Sequence, residues 1–331
     1  MIEVDNITKT FVIPVKRDDG FFKSLVSREY IYKEAVKGIS FFVNKGELVG
    51  YIGLNGAGKS TTIKMLCGIL NPDTGSIRVN GINPFKNRRE NNMNIGVVFG
   101  QRGQLWRDLP VQDSFILLKK IYNVADEDYK RRIQFLDNML DIGELMKIPV
   151  RKLSLGQRMR CEFAGSLIHW PDVIYLDEPT IGLDILTKKR VLSFVKELNE
   201  QYQKTIIFTT HNMHDIEDLC DRVILIDKGL IMYDGKIQEL KASYNKQKVL
   251  SITFRNVIEL DKQNLLEIVE RFGQIKDIHN NNLILHIEDG GIDNIRHVLD
   301  KMNEICVITD YSISSFKFED IIENIYLQES K

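Results

Sequence analysis

Gly53-Leu54-Asn55-Gly56-Ala57-Gly58-Lys59-Ser60 matches G-x-x-x-x-G-K-[ST], and it sits between the apolar run Leu48–Ile52 and a helical run from Thr62 to Leu70. That context constrains the chain more than any other feature, because a buried strand entering a glycine-rich loop and then a helix is the start of a parallel α/β layer. Small residues let backbone amides converge on phosphate oxygens at the positive end of the helix. Lys59 is spaced to reach the β- and γ-phosphates, and the Ser60 hydroxyl to ligate Mg²⁺. The competing reading is a glycine-rich turn that binds nothing, and the complete motif in its strand–loop–helix setting argues against it. Gly53, Leu54, Asn55, Gly56, Ala57, Gly58, Lys59, Ser60 and Thr61 are therefore expected to line a nucleotide site.

Val173–Leu176, Thr205–Phe208 and Val223–Ile226 read as further strands apolar on both faces. Open α/β sheets bind ligands at the carboxyl ends of their strands. The first of these runs straight into Asp177-Glu178. Taken as a neighbour of the P-loop strand, it presents Asp177 to a Mg²⁺ shell, while Glu178 points elsewhere and is placed to orient or deprotonate a water. Two acids at a strand end are also ordinary solvated termination; the P-loop tips the balance. Upstream, Leu153-Ser154-Leu155-Gly156-Gln157 opens an amphipathic helix from Arg158 to His169. Ser154 and Gly156 offer a second anion-binding helix start, or merely an N-cap. Two such starts cannot easily serve one γ-phosphate within one compact subunit, so a second copy of the chain is the simpler geometry.

These motifs together resemble the ATP-binding subunits of ABC transporters. Leu153 to Gln157 is similar to the family's signature pentapeptide, departing at Leu155, where the commonest form has glycine. The resemblance implies that Ser154, Leu155, Gly156 and Gln157 act on the nucleotide of a partner subunit. It also implies that Asp184, in Ile181-Gly182-Leu183-Asp184, belongs to the D-loop at the dimer interface, and that His211, after Thr209-Thr210, senses the γ-phosphate, with His214 a nearby competitor. Catalysis would then rest on Glu178 and His211, with Mg²⁺ held by Ser60, Asp177 and the Q-loop glutamine. Gln101, in Val97-Val98-Phe99-Gly100-Gln101, resembles that glutamine, with Gln104 the alternative; Phe11 resembles the aromatic that stacks on adenine. His169, His279, His286 and His297 lie outside the motifs and are expected to be structural.

The expected fold is an α/β, P-loop NTPase cassette of the ABC type over residues 1–240, with a mainly parallel sheet, an antiparallel β subdomain and a helical subdomain at about 102–170. A polar stretch, Lys241–Lys248, is read as a linker to a small α+β accessory or regulatory domain, 241–331. There Leu250–Phe254, Leu265–Phe272, Ile275–Ile278, Leu283–Ile287, Ile292–Met302 and Ile305–Ile308 follow a β-α-β-β-α-β order, ferredoxin-like, before a last helix around Ile321–Tyr326. This tail is read as regulatory or as bracing a dimer. Residues 14–34 are insertion-like, with Phe21, Phe22, Tyr30 and Tyr32 among mixed charges. They read either as a local hairpin or helix on the chain's own antiparallel sheet, or as a contact to a permease or lipid headgroups.

Composition narrows the partners. The 331 residues carry 45 Lys+Arg against 46 Asp+Glu, which argues against nucleic-acid binding by bulk charge. No apolar run approaches the roughly 20 residues of a membrane-crossing helix, and the first residues, Met1-Ile2-Glu3-Val4-Asp5, do not read as a signal peptide. Cys67, Cys161, Cys220 and Cys306 lack paired spacing, against zinc or a disulfide framework. The resemblance adds ATP and Mg²⁺, a homodimer or a heterodimer with a similar ATPase, and separate transmembrane permease subunits at the cytoplasmic face of the membrane. The surroundings of Gln104 (Leu105-Trp106-Arg107-Asp108-Leu109-Pro110), the signature variant and the extra C-terminal domain resemble subunits paired with ABC-2-type exporter permeases. The rival from another class is a soluble ABC-type ATPase that remodels ribosomal or nucleic-acid complexes; one cassette and no sustained heptads weigh against it.

Overall fold

The structure, a computed structural model, describes residues 1–14, 30–100, 103–244, 247–255, 273–279, 281–288 and 292–328. It divides into two compact units, Met1–Lys236 and Ile237–Lys331.

The first unit is organised by a six-stranded sheet, built from β3 (Leu48–Gly53), β5 (Ile95–Phe99), β6 (Val173–Asp177), β7 (Thr205–Thr209), β8 (Arg222–Asp227) and β9 (Leu230–Lys236). The strand order is β5-β6-β7-β3-β8-β9, parallel throughout except for the antiparallel β8–β9 pair. All six residues of β3 and all five of β7 are buried, as continuous apolar runs require in a sheet covered on both faces. The strand ending in Asp177 is not next to the P-loop strand, contrary to the expectation: β7 lies between them. The reason lies in dimensions. One interposed strand sets the Asp177 tip roughly 10 Å from the P-loop strand, enough to admit a phosphate group between them.

A second, antiparallel sheet has the order β2-β1-β4, with β1 Ile2–Pro14, β2 Tyr30–Val43 and β4 Thr74–Val79. Its buried residues, Ile2, Val4, Ile7, Ile39, Phe41 and Val43 among them, share one core cluster with Tyr51 and Tyr175 of the parallel layer and Ile63 of the helix after β3. The described ends of the insertion-like segment continue this sheet: Pro14 pairs with Tyr30 and Ile13 with Ile31, while residues 15–29, Phe21 and Phe22 among them, lie outside the described residues. Helices α1 (Lys59–Leu66) and α2 (Arg88–Asn94) follow, and then α3 (Val111–Ile121), α4 (Asp126–Leu140) and α5 (Leu155–Leu167) form the helical part. Helices α6 (Ile185–Glu200) and α7 (Met213–Leu219) complete this unit.

The second unit begins at α8 (Ile237–Ser243), so Lys241, Ala242 and Ser243, read from sequence as linker, are helical. β10 (Gln247–Arg255), β11 (Gln274–His279), β12 (Asn282–Glu288) and β13 (Val307–Ser315) form an antiparallel sheet of order β11-β12-β10-β13. With α9 (Ile292–Ile305) leading into β13, order and directions are those of a split β-α-β, ferredoxin-like layer. The helix expected over 265–272 lies outside the described residues. Leu250, Ile252, Phe254, Leu283, Leu285 and Ile287 line one face and pack on Val298 and Met302 of α9. The strand expected at Ile305–Ile308 starts later and runs further, because α9 continues to Ile305 and the Cys306 amide still donates to the Met302 carbonyl. The last described helix is α10 (Phe318–Gln328), and Lys276 of β11 is ion-paired to its Asp320 and Glu323, each at 2.8 Å. No described helix is long and apolar enough to cross a membrane.

Candidate functional site

The carboxyl ends of β3, β6 and β7 converge on one cleft. Asn55, Ser60, Asp177, Glu178 and His211 line one part of it, a cavity of roughly 560 Å³. A neighbouring cavity of roughly 260 Å³ shares Asn55, Ser60 and Glu178 and extends past Gly58 to Phe11 and Lys33 on the antiparallel sheet. The P-loop, both strand-end acids, the strand-end histidine and the N-terminal aromatic, all predicted from sequence, are thus brought together.

Local chemistry explains the P-loop. Gly58 has φ +113° and a Cβ there would stand 2.5 Å from the Ala35 carbonyl oxygen, so only glycine lets the loop pass under β2. The Thr62 hydroxyl donates to the Gly58 carbonyl at 3.1 Å and accepts from the Tyr51 hydroxyl at 3.2 Å, which pins α1 to β3. Lys59 folds back, its Nζ donating to the carbonyls of Gly53 (2.7 Å) and Leu54 (3.1 Å). Burial pushes its pKa down, against the pull of the Glu178 and Asp177 carboxylates. The ammonium spends two of its donors on these carbonyls, and an incoming anion would offset the desolvation that burial imposes on its charge. Ser60 stands exposed at the mouth. Its hydroxyl and the Asp177 carboxylate are the hard oxygen donors that suit Mg²⁺.

The acids are set by the end of β7. The Thr209 hydroxyl donates to Asp177 Oδ1 at 2.8 Å and accepts from the Glu178 amide at 3.0 Å. The same amide points at the Thr209 carbonyl, 3.1 Å away. Glu178 has φ +52°, a left-handed conformation that costs a non-glycine residue about 1–2 kcal/mol and needs such bonds to hold it. The turn separates the two carboxylates: Asp177 faces Thr209, and Glu178 Oε2 lies 3.7 Å from His211 Nδ1. His211 is 62% exposed at its side chain, presented by a loop that Asn212 closes as the N-cap of α7, accepting from the His214 and Asp215 amides. His214 instead faces Asp218 across one helical turn.

Sequence reasoning missed Thr209 and Asp215. Asp215 is buried, paired to Lys188 Nζ at 2.7 Å, and accepts from the Thr180 hydroxyl at 3.2 Å. It thereby ties the loop after Glu178 to α6 and α7. A threonine ending an otherwise apolar strand was the available signal for Thr209; Asp215 gave none, since its partners are distant in sequence.

Ser154, Leu155, Gly156 and Gln157 line neither cavity. Ser154 and Gln157 form a reciprocal capping box at the start of α5, the Ser154 amide donating to Gln157 Oε1 (2.9 Å) and the Gln157 amide to Ser154 Oγ (3.2 Å). They neighbour the Asp184 turn: a Cβ on Gly156 would sit 3.3 Å from the Thr187 side chain and 3.6 Å from Asp184 Oδ2. Asp184 itself caps α6, accepting from the Leu186 and Thr187 amides at 3.1 and 3.0 Å, and these bonds hold its carboxyl below the usual range. Ile185 and Leu186 beyond it are 84% and 79% exposed, an unusual outlay of apolar surface at a helix start.

Gln101 lies outside the described residues; Gly100 before it lines the 560 Å³ cavity. Gln104, the alternative, does not reach that cavity. Its amide and Nε2 donate to Glu162 Oε2 (2.8 Å) and the Glu162 carbonyl (3.1 Å), binding it to α5. Gln104 lines a separate groove of roughly 210 Å³, with Ile69, Arg88, Asn92, Tyr122 and His169. The His169 ring stacks on Tyr122 at 3.8 Å, and its Nε2 lies 2.9 Å from the Ile95 carbonyl. All four cysteines are free and buried. No cluster of metal-ligating His, Cys, Asp and Glu occurs among the described residues.

The sequence model of the family described as "ABC transporter" matches residues 36–181. The chain is 36% identical over 210 residues to the ABC transporter ATP-binding protein NatA of Bacillus subtilis (strain 168), covering 63% of this chain and 85% of that protein. It is 31% identical over 263 residues to the linearmycin resistance ATP-binding protein LnrL of the same organism, covering 80% of this chain and 83% of that one. Among solved structures, it resembles the ATP-binding cassette MJ0796, described as a dimeric post-hydrolysis state bound to ADP and Pi, with a TM-score of 0.60 at 24% identity over 71% of this chain and 98% of that one. CbiO1 from Clostridium perfringens, part of the ABC transporter complex cbiONQ, gives a TM-score of 0.58 at 26% identity, covering 73% of this chain and 90% of that one.

Proposed function

This chain belongs to the ATP-binding proteins of ABC transporters, an ATPase of that family, and from that premise we propose that it is the motor of an exporter whose membrane-spanning permease is a separate polypeptide. The observation that carries the reading is the cleft itself: P-loop, Asp177, Glu178 and His211 face one space, while the helix start at Ser154–Gln157 faces none of it. A second subunit completes each site by bringing its own Ser154 and Gly156 to the bound nucleotide.

In this reading Phe11 stacks on the base. The amides of Gly56 to Thr61 and the ammonium of Lys59 take the phosphates, Lys59 exchanging its two backbone carbonyls for phosphate oxygens. Ser60 and Asp177, with Gln101, would hold Mg²⁺, which supplies charge neutralisation at the phosphates. Glu178 takes the proton of the attacking water, and His211, beside it, holds the γ-phosphate. Closure of two subunits draws on contacts that ATP offers and ADP does not, so the nucleotide favours one of two states differentially. Asp184 and the exposed Ile185 and Leu186 stand at the face where the subunits meet.

The groove of Ile69, Arg88, Asn92, Gln104, Tyr122 and His169, between the parallel layer and the helical part, is where that motion passes to the permease. The protein is then held at the cytoplasmic face of the membrane through its partner. The resemblance around Gln104–Pro110 supports an ABC-2-type pairing, and the relative LnrL, named as a resistance ATP-binding protein, fits an exporter.

Purification of Glu178→Gln with ATP tests the whole scheme. An ATP-dependent dimer that brings a multispanning membrane protein with it is the expected result. Recovery of ribosomal or nucleic-acid complexes instead, with no membrane fraction, would replace the exporter by the remodelling ATPase.

A further inference from the structure

The two edges of the second unit's sheet are treated differently by the sequence. β11 is six residues long, and its Lys276 and Asp277 place charge on it, Lys276 being ion-paired to α10. Such an edge resists strand addition. β13, at the other edge, is nine residues long, Val307-Ile308-Thr309-Asp310-Tyr311-Ser312-Ile313-Ser314-Ser315, with one charge, no lysine and no proline. Its residues are exposed except for the partly buried Ile308.

The register shows what that edge offers. Ile313 pairs with Leu250 and Tyr311 with Ile252, and paired residues share a face, so both stand on the side of the sheet that carries the unit's core. Leu250 and Ile252 are fully buried, whereas Tyr311 and Ile313 are 53% and 49% exposed. The apolar face thus runs past its cover and ends in the open on the last strand.

We infer that β13 pairs antiparallel with β13 of a second copy of this chain, about a two-fold axis at Ser312, joining two four-stranded sheets into one of eight. Self-complementarity of the strand selects this occupant. About Ser312 the register sets Tyr311 against Ile313 of the other copy, twice, an aromatic–β-branched pair of the kind that stabilises sheets. The opposite face sets Asp310 against Ser314, twice, and serine against serine. An axis at Asp310 would oppose two carboxylates instead. The irregularity between Thr253 and Phe254 confines regular pairing to Asp310–Ser315, the part this register uses. The resulting interface is isologous and closed, and it leaves only the charged β11 edges at the ends. It does not depend on the nucleotide reading above.

The test uses the full-length chain without nucleotide and with Lys59→Ala, which removes any nucleotide-driven association. Sedimentation should show a dimer, converted to monomer by Tyr311→Lys with Ile313→Lys. Ser312→Cys should be captured as a covalent dimer by a short bis-maleimide, and Ser314→Cys should not, because Ser314 faces Asp310 of the other copy; the native cysteines are buried and silent. A nucleotide-free monomer at tens of micromolar, a dimer that survives the two lysines, or capture through residue 314 rather than 312 would each overturn the pairing. Failure here leaves an ATP-induced dimer of Glu178→Gln untouched, so the two ideas stand or fall apart.

Discussion

The Thr209 hydroxyl donates to Asp177 Oδ1 at 2.8 Å, joining the tips of two adjacent parallel strands. Because the same oxygen accepts from the Glu178 amide, one side chain fixes both acids of the cleft. Thr209→Val keeps shape and branching but removes both bonds. Turnover should fall by about 10- to 100-fold, the scale of misplaced catalytic groups, with stability lower by about 1–2 kcal/mol from the unpaired polar atoms. Thr209→Ser should restore most of both. Steady-state ATPase assays and thermal unfolding check this; unaltered turnover in the valine variant would remove the positioning role.

Glu178→Gln and Lys59→Ala should separate chemistry from binding. The first should bind ATP while losing at least ~10²–10⁴ in turnover, the contribution ascribed to a positioned base. The second should lose nucleotide affinity itself, because in the proposed scheme the ammonium now held at Gly53 and Leu54 exchanges those carbonyls for the phosphates. Equilibrium nucleotide binding alongside turnover reads both; wild-type binding in Lys59→Ala would contradict the P-loop assignment.

Gly100→Ala should disturb the site from behind. A Cβ there would stand 2.1 Å from the Glu178 carbonyl oxygen and 3.2 Å from the Ile181 side chain. Backbone cannot swing aside as the tip of a long side chain can, so the strained Glu178 turn must move. A loss of about 1–3 kcal/mol is expected for such overpacking, with turnover reduced in protein that remains folded. Chemical denaturation and kinetics on the same sample test it.

His169 should make stability acid-sensitive. Burial pushes its pKa down to about 4, from an ordinary value near 6.5, and its Nδ1 is buried with no partner among the described residues. The unfolded chain therefore binds the proton first. Stability from this group is complete above about pH 6.5 and falls towards about pH 4 by roughly 1.4 kcal/mol per pH unit. Unfolding at pH 7 and pH 5 should differ by about 2 kcal/mol more in the native protein than in His169→Gln. Parallel pH profiles for the two would show that the imidazole is not the cause.

Much of the site was legible because its chemistry is local. The P-loop needs eight consecutive residues, and Gly58 is forced by its own φ and by the nearby Ala35 carbonyl. Asp177, Glu178 and His211 each stand within three residues of the end of an apolar run, so period and position sufficed. The strand order was not local. The sequence placed the Asp177 strand beside the P-loop strand, and β7 lies between them, because parallel neighbours are chosen by crossover packing and not by chain order.

The sequence by itself determined a nucleotide-binding α/β cassette with a ferredoxin-like tail, since hydrophobic period and loop composition are properties of neighbours along the chain. Tertiary structure alone decided that Thr209 governs both acids, that Asp215 anchors the loop behind them, that Gln104 belongs to α5, and that β13 is an open edge. Each of these depends on residues tens of positions apart meeting at hydrogen-bond distance or failing to be covered, and no window of sequence carries that information.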